Sequence, residues 1–171
     1  HLHVPLQAGC DETLKRMNRK YNCEQYYEKL SKIRRLIPDI VFTTDVIVGF
    51  PGESEEEFEK TYEFIEDVIK EVVQISPSKY IQIGGDEALS TNKEDYDYFV
   101  GRVAKIAKKY GKIPIGWDPI DTSPEINSSV VLQNWKDSNN EARKKNMKII
   151  VSIAGKTYLD MKYNDLTPYG L

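Results

Sequence analysis

The sequence predicts an α/β fold, namely an incomplete TIM-like (βα) barrel of about six parallel strands with surrounding helices. Short β-branched and apolar runs alternate with segments in which apolar residues recur at helical spacing. This alternation is typical of a parallel sheet covered by helices. A closed barrel of eight units uses ~250 residues, so a chain of 171 residues has room for roughly five or six. The sequence lacks the Gly-rich dinucleotide fingerprint that would favour an open, doubly wound sheet.

The predicted strands are runs of β-branched and apolar residues that end at turn-forming residues. Gly9 follows the first run, the turn at 50–52 closes the second, and Gly84 and Gly85 end the third. In chain order the runs are 1–7, 40–50, 79–85, 112–118, 129–135 and 147–154.

Helices are predicted between most of these strands, because apolar residues recur there every three or four positions. Asn22 with Gln25, and Ser54 with Glu57, have the spacing of capping boxes, so a helix is expected to begin at each pair. Pro38 is expected to end the first of these two helices. The other predicted helices lie at about 14–21, at 96–110 with Gly111 as a C-terminal cap, and in a short basic segment at about 138–146.

Composition and charge exclude some broad classes of function. A formal net charge of −3 argues against a general nucleic-acid or anionic-membrane surface, although a local patch stays open. No apolar run is long enough to span a bilayer, and no signal-like start is visible, so cytoplasm is the default compartment. Cys10 and Cys23 lack metal-ligand spacing; reduced thiols are expected, with a disulfide between them as the alternative. The first residue is His1 rather than Met, which indicates a trimmed chain or a fragment.

The N-terminal region carries the motifs "HLHVPLQAGCDETLKRMNRKY" and "TTDVIVGFPGESEEEFEKTYEFIEDV". It resembles the radical S-adenosylmethionine tRNA methylthiotransferases, in the part of their barrel after the cluster-binding strand. The resemblance implies that Gln7, Asp45 and the 49–53 loop face a pocket for S-adenosylmethionine and substrate. That chemistry needs an iron–sulfur cluster on three closely spaced cysteines, and the chain has two, so no cofactor is expected. An S-adenosylmethionine-related tRNA-modification fragment is therefore the least favoured function.

The C-terminal region carries "SPSKYIQIGGDEA", "YFVGRVAKIAKKYGKIPIGWDPID", "VVLQNWKD" and "KIIVSIAGKTYLDMKYN". It resembles the family-20 glycoside hydrolases, the β-N-acetylhexosaminidases. The two resemblances meet near residue 68, inside the helical stretch "YEFIEDVIKEV". We therefore predict one partial-barrel domain over 1–171, with a methylthiotransferase-like half at 1–68 and a hexosaminidase-like half at 69–171. A junction inside a helix indicates a chimera, and an engineered origin is favoured over natural recombination.

The carboxylates of Asp86 and Glu87 directly follow the third predicted strand. Side chains of adjacent strand residues point to opposite faces, so both can reach one pocket only where the strand has ended. Gly84 and Gly85 permit such a bend, and the carboxyl ends of parallel barrel strands are where active sites lie. An Asp-Glu dipeptide taken alone is more often a solvated loop.

By resemblance, Glu87 is the general acid that protonates the departing glycosidic oxygen. Asp86 orients the substrate's 2-acetamido group, whose own carbonyl oxygen attacks the anomeric carbon. The resemblance also implies substrate-binding residues: the acetamido box of Trp117 and Trp135, the acetamido-bonding Tyr158, and the hydroxyl-bonding Asp160. Either tryptophan taken alone is more simply an ordinary core or rim aromatic.

Departures from the family pattern predict weak or no exo-β-N-acetylhexosaminidase activity on an N-acetylhexosaminide-type sugar. Gln82 stands where the family usually has histidine, the first-strand arginine has no counterpart, and the last strand is expected to be missing beyond Leu171. The alternative is a catalytically silent scaffold made of recombined barrel pieces. Open barrel edges predict self-association. The hexosaminidase-like region also leaves a secreted or surface-attached location open.

A metal site is a second alternative in the N-terminal region. His1 and His3 would lie on one side of a strand, and His-x-His pairs bind metals in other barrels. No third histidine exists, so a carboxylate such as Asp45 would have to complete the site. A purely structural role for this strand end is therefore favoured, and no metal is expected.

Overall fold

The computed structural model describes residues 2–40, 42–89, 91–136 and 140–158. Within these ranges the protein is an α/β fold whose paired strands are parallel, which confirms that part of the prediction. The six described strands form two sheets, one of two strands and one of four. The chain divides into two compact units, His1–Glu71 and Val72–Leu171.

The first unit contains a short parallel strand pair and the helices around it. In chain order its elements are β1 (Leu2–His3), α1 (Asp11–Arg16), α2 (Cys23–Leu36), β2 (Phe42–Thr43) and the start of α3 (Glu55–Ile75). Leu2 pairs with Phe42, and an isolated bridge between Gln7 and Val46 continues the parallel pairing. Both strands are shorter than predicted. Pro5 has no N–H to donate, and Gln7 has a φ of 81°, so the regular ladder ends early.

Both predicted capping boxes form. The Asn22 side chain accepts from the Gln25 amide at 2.8 Å, and the Gln25 side chain accepts from the Asn22 amide at 3.2 Å. The Ser54 amide donates to Glu57 Oε2 at 2.8 Å, and the Glu57 amide donates to the Ser54 hydroxyl at 3.3 Å. These reciprocal bonds satisfy amides that have no partner inside the helix, and so they fix where α2 and α3 begin.

The core of the first unit lies where the chain after β1 packs on α3. Leu6 and Leu14 are fully buried, and Thr61 of α3 is buried beside them. Gly9 lies so close to α3 that an added Cβ would be 2.7 Å from Phe64 Cβ and 2.8 Å from Thr61 Cα. The Thr61 hydroxyl accepts from the Gly9 amide at 3.2 Å. Glycine is therefore the residue that allows this close approach of backbone and helix.

The second unit is built on a four-stranded parallel sheet in the order β3-β4-β5-β6. Its elements are β3 (Tyr80–Gln82), α4 (Lys93–Lys109), β4 (Ile113–Trp117), a 3₁₀ turn (Ile120–Thr122), β5 (Val131–Asn134), α5 (Asn140–Lys144), β6 (Lys148–Val151) and α6 (Ala154–Thr157). The short helix α6 was not predicted. Gly111 has a φ of +74° and its amide donates to Lys108 O at 2.9 Å, which confirms its predicted role as a cap of α4.

Alternate residues of β4 face two different environments. Pro114 and Gly116 are buried, whereas Ile115 and Trp117 are half-buried. A Cβ on Gly116 would overlap Ile120 Cδ1 and lie 2.9 Å from Ile120 Cγ2. Ile120 belongs to the buried cluster that includes Val100 of α4. Since side chains alternate along a strand, Trp117 lies on the face opposite this helix-covered core.

Both cysteines are free thiols, as the favoured interpretation of the sequence expected. Cys10 is buried and Cys23 is half-buried; burial raises the pKa of the Cys23 thiol to about 12. Among the described helices, none is long and apolar enough to cross a membrane.

Candidate functional site

The carboxyl ends of β3, β4 and β5 lie side by side at one edge of the four-stranded sheet. Backbone hydrogen bonds continue past the ends of the regular strands. The Trp117 amide donates to Gly84 O at 2.9 Å, and the Asp118 amide donates to Gln133 O at 3.0 Å. The segments that leave these strands are therefore held together before they diverge, which brings the polar residues that follow each strand to one edge.

The chain turns sharply after β3. Gly84 and Gly85 have φ values of +74° and +105°, and Glu87 also adopts a left-handed φ of +54°. The regular strand has ended at Gln82, so the predicted bend at the glycine pair is confirmed. Asp86 is the residue between the glycine pair and Glu87, and both carboxylates are exposed. A positive φ is unfavourable for a residue with a Cβ, so the conformation at Glu87 indicates a tightly held turn.

Gln82 anchors this turn from the end of β3. Its side-chain oxygen accepts from the amides of Ile83 at 3.0 Å and Gly84 at 3.2 Å. Its side-chain nitrogen donates to Gln133 Oε1 at 2.8 Å. At the position where the resemblance leads one to expect histidine, both ends of the glutamine amide are therefore engaged within the protein.

A cavity of about 440 Å³ lies beside the turn. It combines one carboxylate, two ammonium groups, two aromatic rings and an aliphatic side chain that is 96% exposed. These lining residues are Glu87, Lys93, Lys136, Tyr96, Trp135 and Leu89. The volume suits a small polar ligand such as a sugar unit.

Tyr96 connects α4 to the turn at the cavity wall. The buried Tyr96 hydroxyl donates to the Gly85 carbonyl oxygen at 2.6 Å. Burial raises the pKa of Tyr96, and the negative charges of Asp97 and Asp121 add to that effect. The phenol therefore stays neutral and keeps the proton that it donates to Gly85.

Two hydrogen bonds, one from its side chain and one to its backbone, fix Trp135 at the end of β5. Its indole Nε1 donates to Asp118 O at 2.8 Å, and its own carbonyl oxygen accepts from the Ala154 amide at 3.0 Å. The Lys136 ammonium lies 4.8 Å from the centre of a Trp135 ring, within reach of a cation–π interaction. The ring therefore forms a positioned wall of the cavity.

Asp118, which was not among the predicted site residues, is a buried carboxylate between β4 and β5. Asn134 Nδ2 donates to Asp118 Oδ2 at 3.0 Å, and Lys136 Nζ lies 3.9 Å from Oδ1. Burial raises the pKa of Asp118, and the nearby Lys136 charge partly offsets this rise. Its position in the sequence could have identified it as a site residue, because an acidic residue directly after a parallel strand lies at the edge where sites form.

The structure brings two of the six predicted site residues, Glu87 and Trp135, to the same cavity. Asp86 is adjacent in sequence but does not line it. Trp117 lies on the face of β4 away from the helix-covered core, and Tyr158 is half-buried after α6; neither lines this cavity. Asp160 lies outside the described residues.

The first unit has two groups of residues that could be considered for metal binding. His3 Nδ1 lies 2.9 Å from Thr43 Oγ1, and His3 Nε2 lies 3.2 Å from Asp45 Oδ2, while His1 lies outside the described residues. Ligand atoms of Cys10, Glu12 and Glu57 lie within 4.8 Å of one another.

Existing interactions account for the second group without a metal. The Cys10 thiol donates to Glu12 Oε2 at 2.8 Å. Glu57 accepts from the Arg16 guanidinium and from the Ser54 amide. A metal bound there would have to displace the proton of the thiol and compete with these contacts.

The loop that the methylthiotransferase resemblance assigns to a pocket closes on itself. Glu53 Oε2 accepts from the amides of Gly49 at 2.6 Å and Phe50 at 3.3 Å. Its Oε1 is buried without a hydrogen-bond partner among the described residues. Burial raises the pKa of Glu53, although the two amides oppose this effect. Of the other residues assigned to that pocket, Gln7 is buried and Asp45 is exposed.

Comparison with known families gives two different similarities. The family described as glycosyl hydrolase family 20, catalytic domain, matches residues 23–169. This match begins well before residue 69, where the sequence motifs place the start of the hexosaminidase-like half.

Among solved structures, the GH20 β-N-acetylhexosaminidase of Streptomyces coelicolor A3(2) is 36% identical over 65% of this chain, with a TM-score of 0.58. The Streptomyces plicatus N-acetyl-β-hexosaminidase in complex with Thio-NAglucal is 25% identical over 99% of this chain, with a TM-score of 0.59. The chain spans 24% and 44% of those two proteins.

The curated relatives are similar over a different region. A tRNA-2-methylthio-N(6)-dimethylallyladenosine synthase of Thermoanaerobacter sp. (strain X514) is 57% identical over 68 residues, which are 40% of this chain and 14% of that protein. A threonylcarbamoyladenosine tRNA methylthiotransferase of Bacillus subtilis (strain 168) is 52% identical over 67 residues, which are 39% and 15%. The chain therefore combines similarity to two different enzyme families, as the sequence motifs indicated.

Proposed function

The chain belongs to glycosyl hydrolase family 20, and from this we propose that its candidate site is an exo-β-N-acetylhexosaminidase site with weak or no hydrolytic activity. The observation that carries the proposal is the shared cavity of Glu87 and Trp135 at the carboxyl ends of β3 and β5. An acid beside an aromatic wall is what hydrolysis of an N-acetylhexosaminide requires.

The proposed reaction is substrate-assisted. Glu87 donates a proton to the glycosidic oxygen as the bond to the anomeric carbon breaks. The carbonyl oxygen of the substrate's own acetamido group forms the new bond to that carbon, and Asp86 orients this group. Trp135 offers an apolar surface for the acetamido methyl. The roles of Trp117, Tyr158 and Asp160 in gripping the sugar rest on resemblance to the family.

Incomplete positioning is the reason to expect little activity. Asp86 and Glu87 are both exposed, and Trp117 is not among the residues that line the cavity. Orientation of reacting groups contributes several orders of magnitude to enzymatic rates, so a site whose groups are not jointly oriented loses most of its rate. Gln82, at the position where the resemblance leads one to expect histidine, is already bonded within the protein to Gln133 and to the Gly84 amide.

We further propose that the described strands are part of an incomplete (βα) barrel assembled from two parent barrels. Parallel pairing in both sheets and the two family similarities support this origin. An engineered chimera explains how segments similar to two different enzyme families come to be joined within one chain.

A catalytically silent scaffold is the second candidate function, favoured by the exposure of Asp86 and Glu87. Hydrolysis of a chromogenic β-N-acetylglucosaminide separates the two candidates. Glu87→Gln keeps the shape of the side chain but removes its acidic proton, so the enzyme proposal expects product release to fall to background. Glu63→Gln, at an exposed position on α3, is the matched control and keeps the rate of the unmodified protein. Equal background rates for all three proteins would establish the silent scaffold.

Self-association is a separate proposal, based on the outer strands of the four-stranded sheet. Tyr80 on β3 is 46% exposed, and Ile150 and Val151 on β6 are 41% and 66% exposed. Outer strands with exposed apolar side chains invite pairing with another chain. Sedimentation velocity is expected to show a concentration-dependent dimer that a Val151→Lys variant weakens; a strict monomer at all concentrations contradicts the proposal.

A further inference from the structure

A second cavity, of about 360 Å³, lies in the first unit, away from the candidate hexosaminidase site. We call it the basic cavity because three of its lining residues carry a positive charge and one carries a negative charge. Its polar lining residues are Lys15, Arg19, Lys20, Asp11, Asn22 and Gln25.

One wall of the basic cavity is the turn that ends α1. Asn18 adopts a left-handed φ of 57°, and the Arg19 amide donates to Leu14 O at 2.9 Å. This six-residue hydrogen-bonded loop is the usual way of closing a helix with a left-handed residue. It turns the chain back on α1, so that Arg19 and Lys20 come beside Lys15 of the last helical turn.

The opposite wall is the first turn of α2. The capping box between Asn22 and Gln25 fixes its backbone, and the Cys23 amide donates to Asp11 Oδ1 at 2.8 Å. This last bond ties the start of α2 to the start of α1. The basic cavity is therefore built from two helix ends whose positions are set by hydrogen bonds, independently of any ligand.

The charges in the basic cavity are not balanced within the described part of the chain. Asp11, its single acidic residue, is already engaged with the Cys23 amide. Lys20 donates to Asn18 Oδ1 at 2.8 Å, which is a neutral acceptor. The side chains of Lys15 and Arg19 have no hydrogen bond or ion pair with any described residue, whereas Arg16, between them in sequence, is paired with Glu57. Unpaired like charges around one concavity favour an anion there.

The amide side chains in the wall add donors of the right kind. The oxygens of Asn22 and Gln25 accept the two capping-box bonds. Their NH₂ groups are not used by the capping box and are suited to donate to a ligand's oxygen atoms.

We propose that the basic cavity binds a compact, multiply charged phosphate anion of the pyrophosphate type. The Arg19 guanidinium offers a fork that matches two phosphate oxygens, and Lys15 and Lys20 supply point charges beside it. Three positive charges are better matched by a multiply charged anion than by a ligand that carries a single carboxylate. The site is independent of the hexosaminidase proposal, because it uses no residue of that site.

Titration calorimetry of the full chain with inorganic pyrophosphate at low ionic strength tests the proposal. The double variant Lys15→Ala/Arg19→Ala is expected to weaken pyrophosphate affinity at least about tenfold, since each charge-assisted bond is among the stronger polar contacts. Lys29→Ala/Lys32→Ala removes the same charge from exposed positions of α2 outside the cavity, and it should change affinity by less than about twofold. Added salt should weaken binding to the unmodified protein.

The single variant Arg19→Lys keeps the charge and removes the fork, so it tests the same contact if the double variant does not fold. It is expected to weaken pyrophosphate binding several-fold, and unchanged affinity contradicts the proposed role of Arg19. Equal losses from Lys15→Ala/Arg19→Ala and Lys29→Ala/Lys32→Ala would overturn the proposal in favour of diffuse attraction. Absence of binding in the millimolar range, or an oligoribonucleotide that binds and is not displaced by pyrophosphate, would overturn it as well.

Discussion

The hydroxyl of Tyr96 donates to the carbonyl oxygen of Gly85 at 2.6 Å, across eleven positions of sequence. This bond joins the first turn of α4 to the turn that carries Asp86 and Glu87. Gly85 has a φ of +105°, a conformation that favours glycine. Tyr96 therefore ties α4 directly to the turn that carries the candidate acid.

Removing this hydroxyl is expected to destabilise the second unit. Tyr96→Phe leaves the Gly85 carbonyl without its donor, and the loss of one such bond costs about 1–2 kcal/mol. Urea unfolding measures the change in the free energy of unfolding. Tyr27→Phe is the matched control, because Tyr27 is 56% exposed on α2, and its effect should stay within about 0.5 kcal/mol. Equal effects of the two substitutions would show that the Tyr96 bond contributes little.

A methyl group at position 116 is expected to disrupt the core of the second unit. In Gly116→Ala the new Cβ would overlap Ile120 Cδ1, and overpacking of this kind costs about 1–3 kcal/mol. Gly155→Ala provides the control, since nothing lies within 4 Å of a Cβ at that position. Thermal unfolding should show a lower midpoint for Gly116→Ala, and an unchanged or higher midpoint for Gly155→Ala. A midpoint for Gly116→Ala equal to that of the unmodified protein contradicts the close packing on Ile120.

Glu57 is expected to make the stability of the first unit pH-dependent in acid. The Arg16 guanidinium and the Ser54 amide lower the pKa of Glu57 from 4.5 to about 2. A carboxyl whose pKa is lower in the folded state stabilises the fold above its unfolded pKa. That contribution is lost as the pH falls from about 4.5 through about 2. Thermal midpoints across this range should fall more steeply for the unmodified protein than for Glu57→Gln.

The control for this pH dependence is Glu63→Gln, at an exposed position on the same helix. Its midpoints should follow those of the unmodified protein throughout. If Glu57→Gln instead shows the same acid slope as the unmodified protein, the Arg16–Glu57 pair does not link protonation to folding.

Cys23 is expected to react slowly with alkylating reagents in the folded protein. Its burial raises the pKa of the thiol to about 12, so little thiolate is present near neutral pH. Iodoacetamide labelling, followed by mass spectrometry of the Cys23 peptide, should be slow at pH 8 and faster as the pH rises. The same peptide should label rapidly in denaturant. Equal labelling rates in the folded and denatured protein would contradict the burial of Cys23.

Local signals in the sequence predicted the helix ends well. The capping boxes at Asn22 and Ser54 formed, and Gly111 took a left-handed conformation, because each of these structures depends on residues within a few positions of one another. Strand lengths depended on neighbouring strands and were less predictable. The first predicted strand, 1–7, is regular only at Leu2–His3.

The sequence predicted where the site residues lie along the chain, but it did not predict the directions of their side chains. Asp86 and Glu87 lie after a strand, as predicted, because turn-forming glycines precede them. The direction of Trp117 follows from the packing of Gly116 on Ile120, a contact that no local pattern shows. Asp118 and Tyr96 were missed for the same reason, since their importance comes from bonds to Asn134 and Gly85.

The placement of the two tryptophans gives the protein a built-in optical probe. Trp135 lines the cavity with its indole N–H bonded to Asp118 O and an ammonium group near its ring, whereas Trp117 does not line it. Since these are the two tryptophans of the chain, a ligand in the cavity should alter the emission of Trp135 more than that of Trp117. Trp117→Phe would then retain most of a ligand-induced change in fluorescence, and Trp135→Phe would abolish it.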